Sequence, residues 1–213
     1  MRQDGPPSTF GGMEQLPRWA REGEAFDLTL RLHGQYAGIQ SWHIRPEKGA
    51  VTVRVQTDFG GTLPKLRLHQ TSRLHPRTLA LLSYTEGEGS RRSGLELTLD
   101  HRAGEVRLRQ RGEEVSGPLV TDYLDPISLL LWLREWQAEP HEQRRLRLLG
   151  GPVYAQRLPD GLLEDGRPAE VLLLRPGGAG VWRGTGPARP FLRLSQPTPF
   201  GTVEAVAGAI HPR

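Results

Sequence analysis

Asp125-Pro126-Ile127-Ser128-Leu129-Leu130-Leu131-Trp132-Leu133-Arg134-Glu135-Trp136 is the one convincing helix in this chain. An aspartate can accept from the free amides of a first turn, and proline, with a fixed φ and no N–H, suits the first helical position. At ~100° per residue, Ile127, Leu130, Leu131 and Leu133 cover much of the circumference. Leu129, Trp132 and Trp136 cover the back, Ser128 and Glu135 form a narrow polar strip, and Arg134 stands apart from it. A helix apolar nearly all round is buried. A dozen residues at ~1.5 Å each reach ~18 Å, short of the ~30 Å hydrocarbon core of a bilayer, so the segment reads as a core plug.

Around this helix the chain has strand periodicity. Phe26, Leu28, Leu30 and Leu32 alternate with Asp27, Thr29, Arg31 and His33, and Val51, Val53 and Val55 alternate with Thr52, Arg54 and Gln56. A strand between them, about Tyr36 to Ile44, contains Ala37-Gly38, where a missing side chain allows a bulge or the close approach of a neighbour. Further strands are expected at Lys65 to Arg73, Leu79 to Glu86, Leu95 to Leu99 and Glu105 to Arg111. After the helix they resume at Arg145 to Leu148, Val153 to Leu158, Ala169 to Leu174, Val181-Trp182, Phe191 to Leu194 and Thr202 to Val206. Turn signals every ~8–12 residues argue for an antiparallel barrel or sandwich. Residues 1–22 are rich in Gly, Pro and polar side chains and read as a flexible arm, leaving 23–213 as a single β-barrel-like domain.

Composition excludes several classes. With no cysteine there is no disulfide, thiolate nucleophile or sulfur-ligated zinc. The 28 basic against 24 acidic side chains leave a net charge of only +4, and apart from Lys48 and Lys65 every cation but histidine is arginine. Arg107, Arg109 and Arg111 on one strand and Arg145 and Arg147 on another would make a basic stripe if those strands were adjacent. No aromatic is interleaved for base stacking, however, and nucleic acid is not the expected partner. The N-terminus has no apolar h-region, so the chain as written reads as cytoplasmic; an exported envelope protein with its signal removed would look the same.

No catalytic signature emerges. The seven histidines form no His-x-His pair and no His-Glu-x-x-His motif, so no metal and no cofactor are expected. Glu86 and Glu88 share a face of an extended segment, but Gly87 and Gly89 suggest an exposed hairpin tip. Asp125 is better explained as a helix cap than as an acid, and Ser128 lacks a Gly-x-Ser-x-Gly elbow.

Four short segments resemble the bacterial envelope family known as domain of unknown function 3108. Gly23-Glu24 is similar to its opening, and Tyr36-Ala37-Gly38 to its second-strand element. Asp125, Ser128 and Arg134 fit its Asp-x-x-Ser-x-x-x-x-x-Arg helix, and Phe200-Gly201-Thr202-Val203-Glu204-Ala205 is similar to its closing strand. The resemblance implies a curved antiparallel sheet or incomplete β-barrel holding a helix, akin to lipoprotein-carrier folds, with no established activity.

Together these readings predict a mainly β fold: a curved antiparallel sheet or incomplete barrel of roughly ten or more strands, with one buried helix at about 125–136. The expected function is non-catalytic binding of an apolar or amphipathic small molecule beside the helix, with Trp42, Tyr123, Trp132 and Trp136 as candidate lining. The alternatives are a structural or protein-interaction scaffold with a solid core and, third, an enzyme built on a pair such as His69 with Glu86.

Overall fold

The computed structural model describes residues 16–89, 94–119, 122–148 and 150–208. A short helix α1 (Arg18–Glu22) leads into β1 (Glu24–Leu32), β2 (Gln35–Glu47), β3 (Ala50–Phe59), β4 (Leu66–Leu74), β5 (Leu81–Glu88), β6 (Leu95–Asp100), β7 (Glu105–Gln110) and β8 (Glu113–Pro118). The plug helix α2 (Pro126–Glu135) follows, and then β9 (Gln143–Leu148), β10 (Gly151–Arg157), β11 (Gly161–Leu162), β12 (Pro168–Arg175), β13 (Gly180–Gly184), β14 (Phe191–Thr198) and β15 (Gly201–Ala207).

The 15 strands among the described residues belong to one antiparallel sheet, in the order β8-β7-β6-β5-β4-β3-β2-β1-β15-β14-β13-β12-β10-β9, with β11 paired to β12 off this path. The sheet curls around α2 without closing, because β8 and β9 end the order and do not pair with each other. There is one curved sheet, and not the two facing sheets of a sandwich. β1 and β15 join the arm that precedes α2 to the arm that follows it, in the register Leu28↔Ala207, Leu30↔Ala205 and Leu32↔Val203.

The alternation of β1 holds in space: Leu28, Leu30 and Leu32 are buried and Asp27 and Arg31 exposed. At Gly38 the chain needs a glycine. Its φ is 134°, and a Cβ there would lie 2.1 Å from the Asp58 carbonyl oxygen. The register of β1 against β2 shifts at the same place, where Leu30 pairs with Gly38 and Arg31 with Tyr36, leaving Ala37 as the extra residue of a bulge.

Two sequence expectations change. The arm expected over 1–22 lies outside the described residues for 1–15, but 18–22 form α1, whose Trp19 and Ala20 are buried in the core. Strand β8, Glu113–Pro118, was not expected; its side chains are almost all exposed, so no apolar alternation announces it, and it is held by its ladder to β7. No helix among the described residues is long and apolar enough to cross a membrane.

Candidate functional site

The interior is organised by how α2 is fastened. At its start Asp125 Oδ1 accepts from the backbone N–H groups of Ile127 at 2.7 Å and Ser128 at 2.9 Å, and Ser128 Oγ accepts from the Asp125 N–H at 2.9 Å. This is a capping box with proline at N1. Asp125 Oδ2 accepts from Ser72 Oγ of β4 at 2.6 Å, which ties the helix to the first arm. Burial pushes the Asp125 carboxyl above its ordinary value of 3.8, against the hydrogen bonds from Ser72, Ser128 and Ile127, which favour the carboxylate.

At the other end the last carbonyls of α2 are collected by Arg183 of β13. This side chain, wholly inaccessible, donates to the carbonyls of Leu133, Arg134 and Trp136, while Nε donates to Glu170 Oε2 of β12 at 2.8 Å. A planar guanidinium offers five donors and so can cap a helix and pair a carboxylate at once. The Arg134 side chain meets Glu24 of β1 at 2.6 Å and 3.3 Å and the Ala188 carbonyl at 2.7 Å. Trp19 Nε1 of α1 donates to Glu135 Oε1 at 2.8 Å. Glu24, Asp125, Ser128 and Arg134 thus fasten the helix together with Ser72, Arg183 and the Trp19–Glu135 bond.

Beside α2 the two arms of the sheet leave a cavity of about 400 Å³. Leu30, Phe59 and Leu68 line it from the first arm, Leu174, Val181, Leu194, Val203 and Ala205 from the second, and Leu130 from the helix. Its polar groups include Gln40 and Thr57, bonded to each other at 3.2 Å, and Gln70 and Glu86. Glu86 Oε2 accepts from Gln70 Nε2 at 2.9 Å and from the hydroxyl of Tyr84 at 2.7 Å. Burial first, and then the adjacent Glu86 carboxylate, push the Tyr84 phenol far above its usual range, so Tyr84 remains a neutral donor.

None of the four aromatics expected to line the site is among the lining residues of this cavity. Trp42 is buried in a cluster with Phe26, stacked at 5.5 Å, and Phe191 at 5.7 Å. It reaches the cavity only indirectly, its Nε1 donating to Gln40 Oε1 at 2.9 Å. Trp132 and Trp136 stack on each other at 5.3 Å in the core, and Tyr123 packs half-buried against it. The helix residue that does face the cavity is Leu130.

Glu86 was expected at an exposed hairpin tip and instead lines the cavity. Between the pairs Arg73↔Ser83 and Leu74↔Leu81, Leu82 is an extra residue in β5, and this bulge switches the inward positions from Leu81 to Tyr84 and Glu86. His69 pairs with Gly87 and Gln70 with Glu86, so His69 and Glu86 lie on opposite faces of the sheet. The basic stripe that adjacency would have made does not form between neighbours, since β7 lies next to one edge strand and β9 is the other edge. Arg107 is paired with Glu105 at 2.7 Å, and Arg109 stands opposite Glu114. Among the described residues no group of three or more His, Asp or Glu could hold a metal ion.

No protein-family model matches the chain, and no curated protein matches it in sequence. Among solved structures it is similar to a β-barrel-like protein of the domain of unknown function DUF1849 from Brucella abortus, with a TM-score of 0.56 and 8% identity. The match covers 86% of this chain and 94% of that one. At that identity the likeness concerns the fold: this chain has a β-barrel-like architecture also found in a bacterial domain of unknown function.

Proposed function

We propose that the protein is a non-catalytic binding module that holds an apolar or amphipathic small molecule in the cavity between α2 and the two arms of the sheet. The observation that carries this reading is the cavity itself. At about 400 Å³ it falls within the ~300–1,000 Å³ of small-molecule pockets, with mostly apolar walls and a few convergent polar groups. The likeness to a β-barrel-like protein of unknown function concerns the fold, is compatible with such a reading and identifies no ligand.

Native mass spectrometry before and after unfolding, with binding of the neutral dye Nile red, tests it. Ala205, buried in the cavity wall, is the position at which a larger side chain fills the space. A ligand-sized mass released on unfolding, or dye bound by the wild type and rejected by Ala205→Trp, is the expected result. A protein that carries no adduct and binds no dye would overturn the proposal.

A second reading, a scaffold that engages a partner along an edge strand, is favoured by β8, an unpaired edge on which Val115 is 66% exposed. Light scattering before and after Val115→Lys tests whether this edge self-associates.

A further inference from the structure

The cavity is apolar enough for a hydrocarbon chain, but its one charge says more about the other end of the occupant. Among the described residues that line it, Glu86 is the only ionisable one. The chain has 28 lysines and arginines and 7 histidines, and none of those among the described residues lies on that wall. An anionic head group would meet a carboxylate there, with no cation among the described lining residues to pair it.

Glu86 is also held in a way that leaves one oxygen available. Gln70 and Tyr84 both donate to Oε2 and fix the carboxylate, whereas Oε1 accepts from no donor among the described residues. Gln70 and Tyr84 are themselves bonded at 2.8 Å, so the three side chains form a closed triangle of hydrogen bonds. Such a fixed acceptor at the edge of an apolar space suits a charged N–H donor, for which a carboxylate bond is both short and strong.

We propose that the occupant is a single-chain amphiphile with a cationic, ammonium-type head, the head donating to Glu86 Oε1 and the chain lying against Leu130, Val203 and Ala205. This assignment rests on the cavity being a binding site, and the two ideas fail in different ways. The test is displacement of Nile red from the full-length protein by dodecylamine, dodecanol and dodecanoate, each below its aggregation threshold near pH 7, with wild type and Glu86→Gln.

Dodecylamine is expected to bind at least about tenfold more tightly than dodecanoate, with dodecanol between them, and Glu86→Gln is expected to abolish that order. Dodecanoate binding as tightly as the amine, or an amine preference that survives Glu86→Gln, overturns the head-group assignment while the cavity stands. Failure of Nile red and all three probes to bind overturns both. Should Glu86→Gln not fold, the wild-type ranking alone decides.

Discussion

At the scale of single residues, the core is held by charges that reason from composition would have placed outside. Arg183 satisfies three carbonyls and the Glu170 carboxylate, so its loss leaves a partly buried acid with only a 3.9 Å contact to Arg157, and the helix end uncapped. Arg183→Met is expected to lower stability by about 3–5 kcal/mol in urea unfolding, and Arg183→Lys to recover only part, because an ammonium cannot span the fork. Asp125 gives a pH signature. Because burial raises its folded value above the ordinary 3.8, the folded state binds the proton more tightly. Stability is therefore lost as pH rises from 3.8 through the raised value. Asp58, Asp100, Glu105 and Asp165 are shifted down by their partners and have the opposite slope, gaining stability as pH rises toward their ordinary values. The difference between wild type and Asp125→Asn isolates the effect: the wild type is expected to lose ground relative to the variant as pH is raised, read by denaturant midpoints across the acid range. Asp125 as a cap was legible from the Asp-Pro pair alone. Its bond to Ser72, 53 positions away, and the reach of Arg183 to the helix were not, since neither pair is close in sequence.

At the scale of elements, α2 was legible because capping and all-round apolarity are local properties, and its expected span of 125–136 agrees with a helix of Pro126–Glu135 capped by Asp125 and Trp136. Which of its faces looks into empty space was not legible. Leu131 is fully buried, whereas Leu130 is half-buried at the cavity wall. Leu131→Ala is expected to cost about 2–5 kcal/mol and Leu130→Ala distinctly less. Only the latter is expected to change Nile red affinity by enlarging the space, so equilibrium unfolding and dye titration on the pair separate packing from binding. Most strands were legible within a few residues of their observed bounds, because apolar alternation is a direct record of a half-buried sheet. β8 escaped because an edge strand exposed along nearly its whole length has no such record. Glu86 escaped because the bulge at Leu82 reverses the parity of β5, and nothing within the strand marks a reversal that its partner β4 determines.

At the scale of the whole molecule, the sheet order runs β8 to β1 and then β15 to β9, so β1–β15 pairing joins segments nearly the full length of the chain apart. Such non-local pairing places folding in the slow range typical of all-β topologies, on the order of milliseconds to seconds. Protection against hydrogen exchange is expected to be greatest in β2 and β3, which carry buried side chains and neighbours on both sides, and least in β8, an edge strand whose side chains are mostly solvated. Native-state exchange by mass spectrometry checks this, and equal protection of β3 and β8 would contradict it. The failure of β8 and β9 to meet has one more consequence. A closed barrel keeps its radius through an unbroken hoop of backbone bonds, and this sheet has none. Its span is instead expected to depend, like that of a bent bow, on a string: α2, about 15 Å long at ~1.5 Å per residue, is tied at one end to Ser72 and at the other to Arg183. Cutting either tie would let the bow straighten, and the width of the cavity would change without any residue that lines it having been touched.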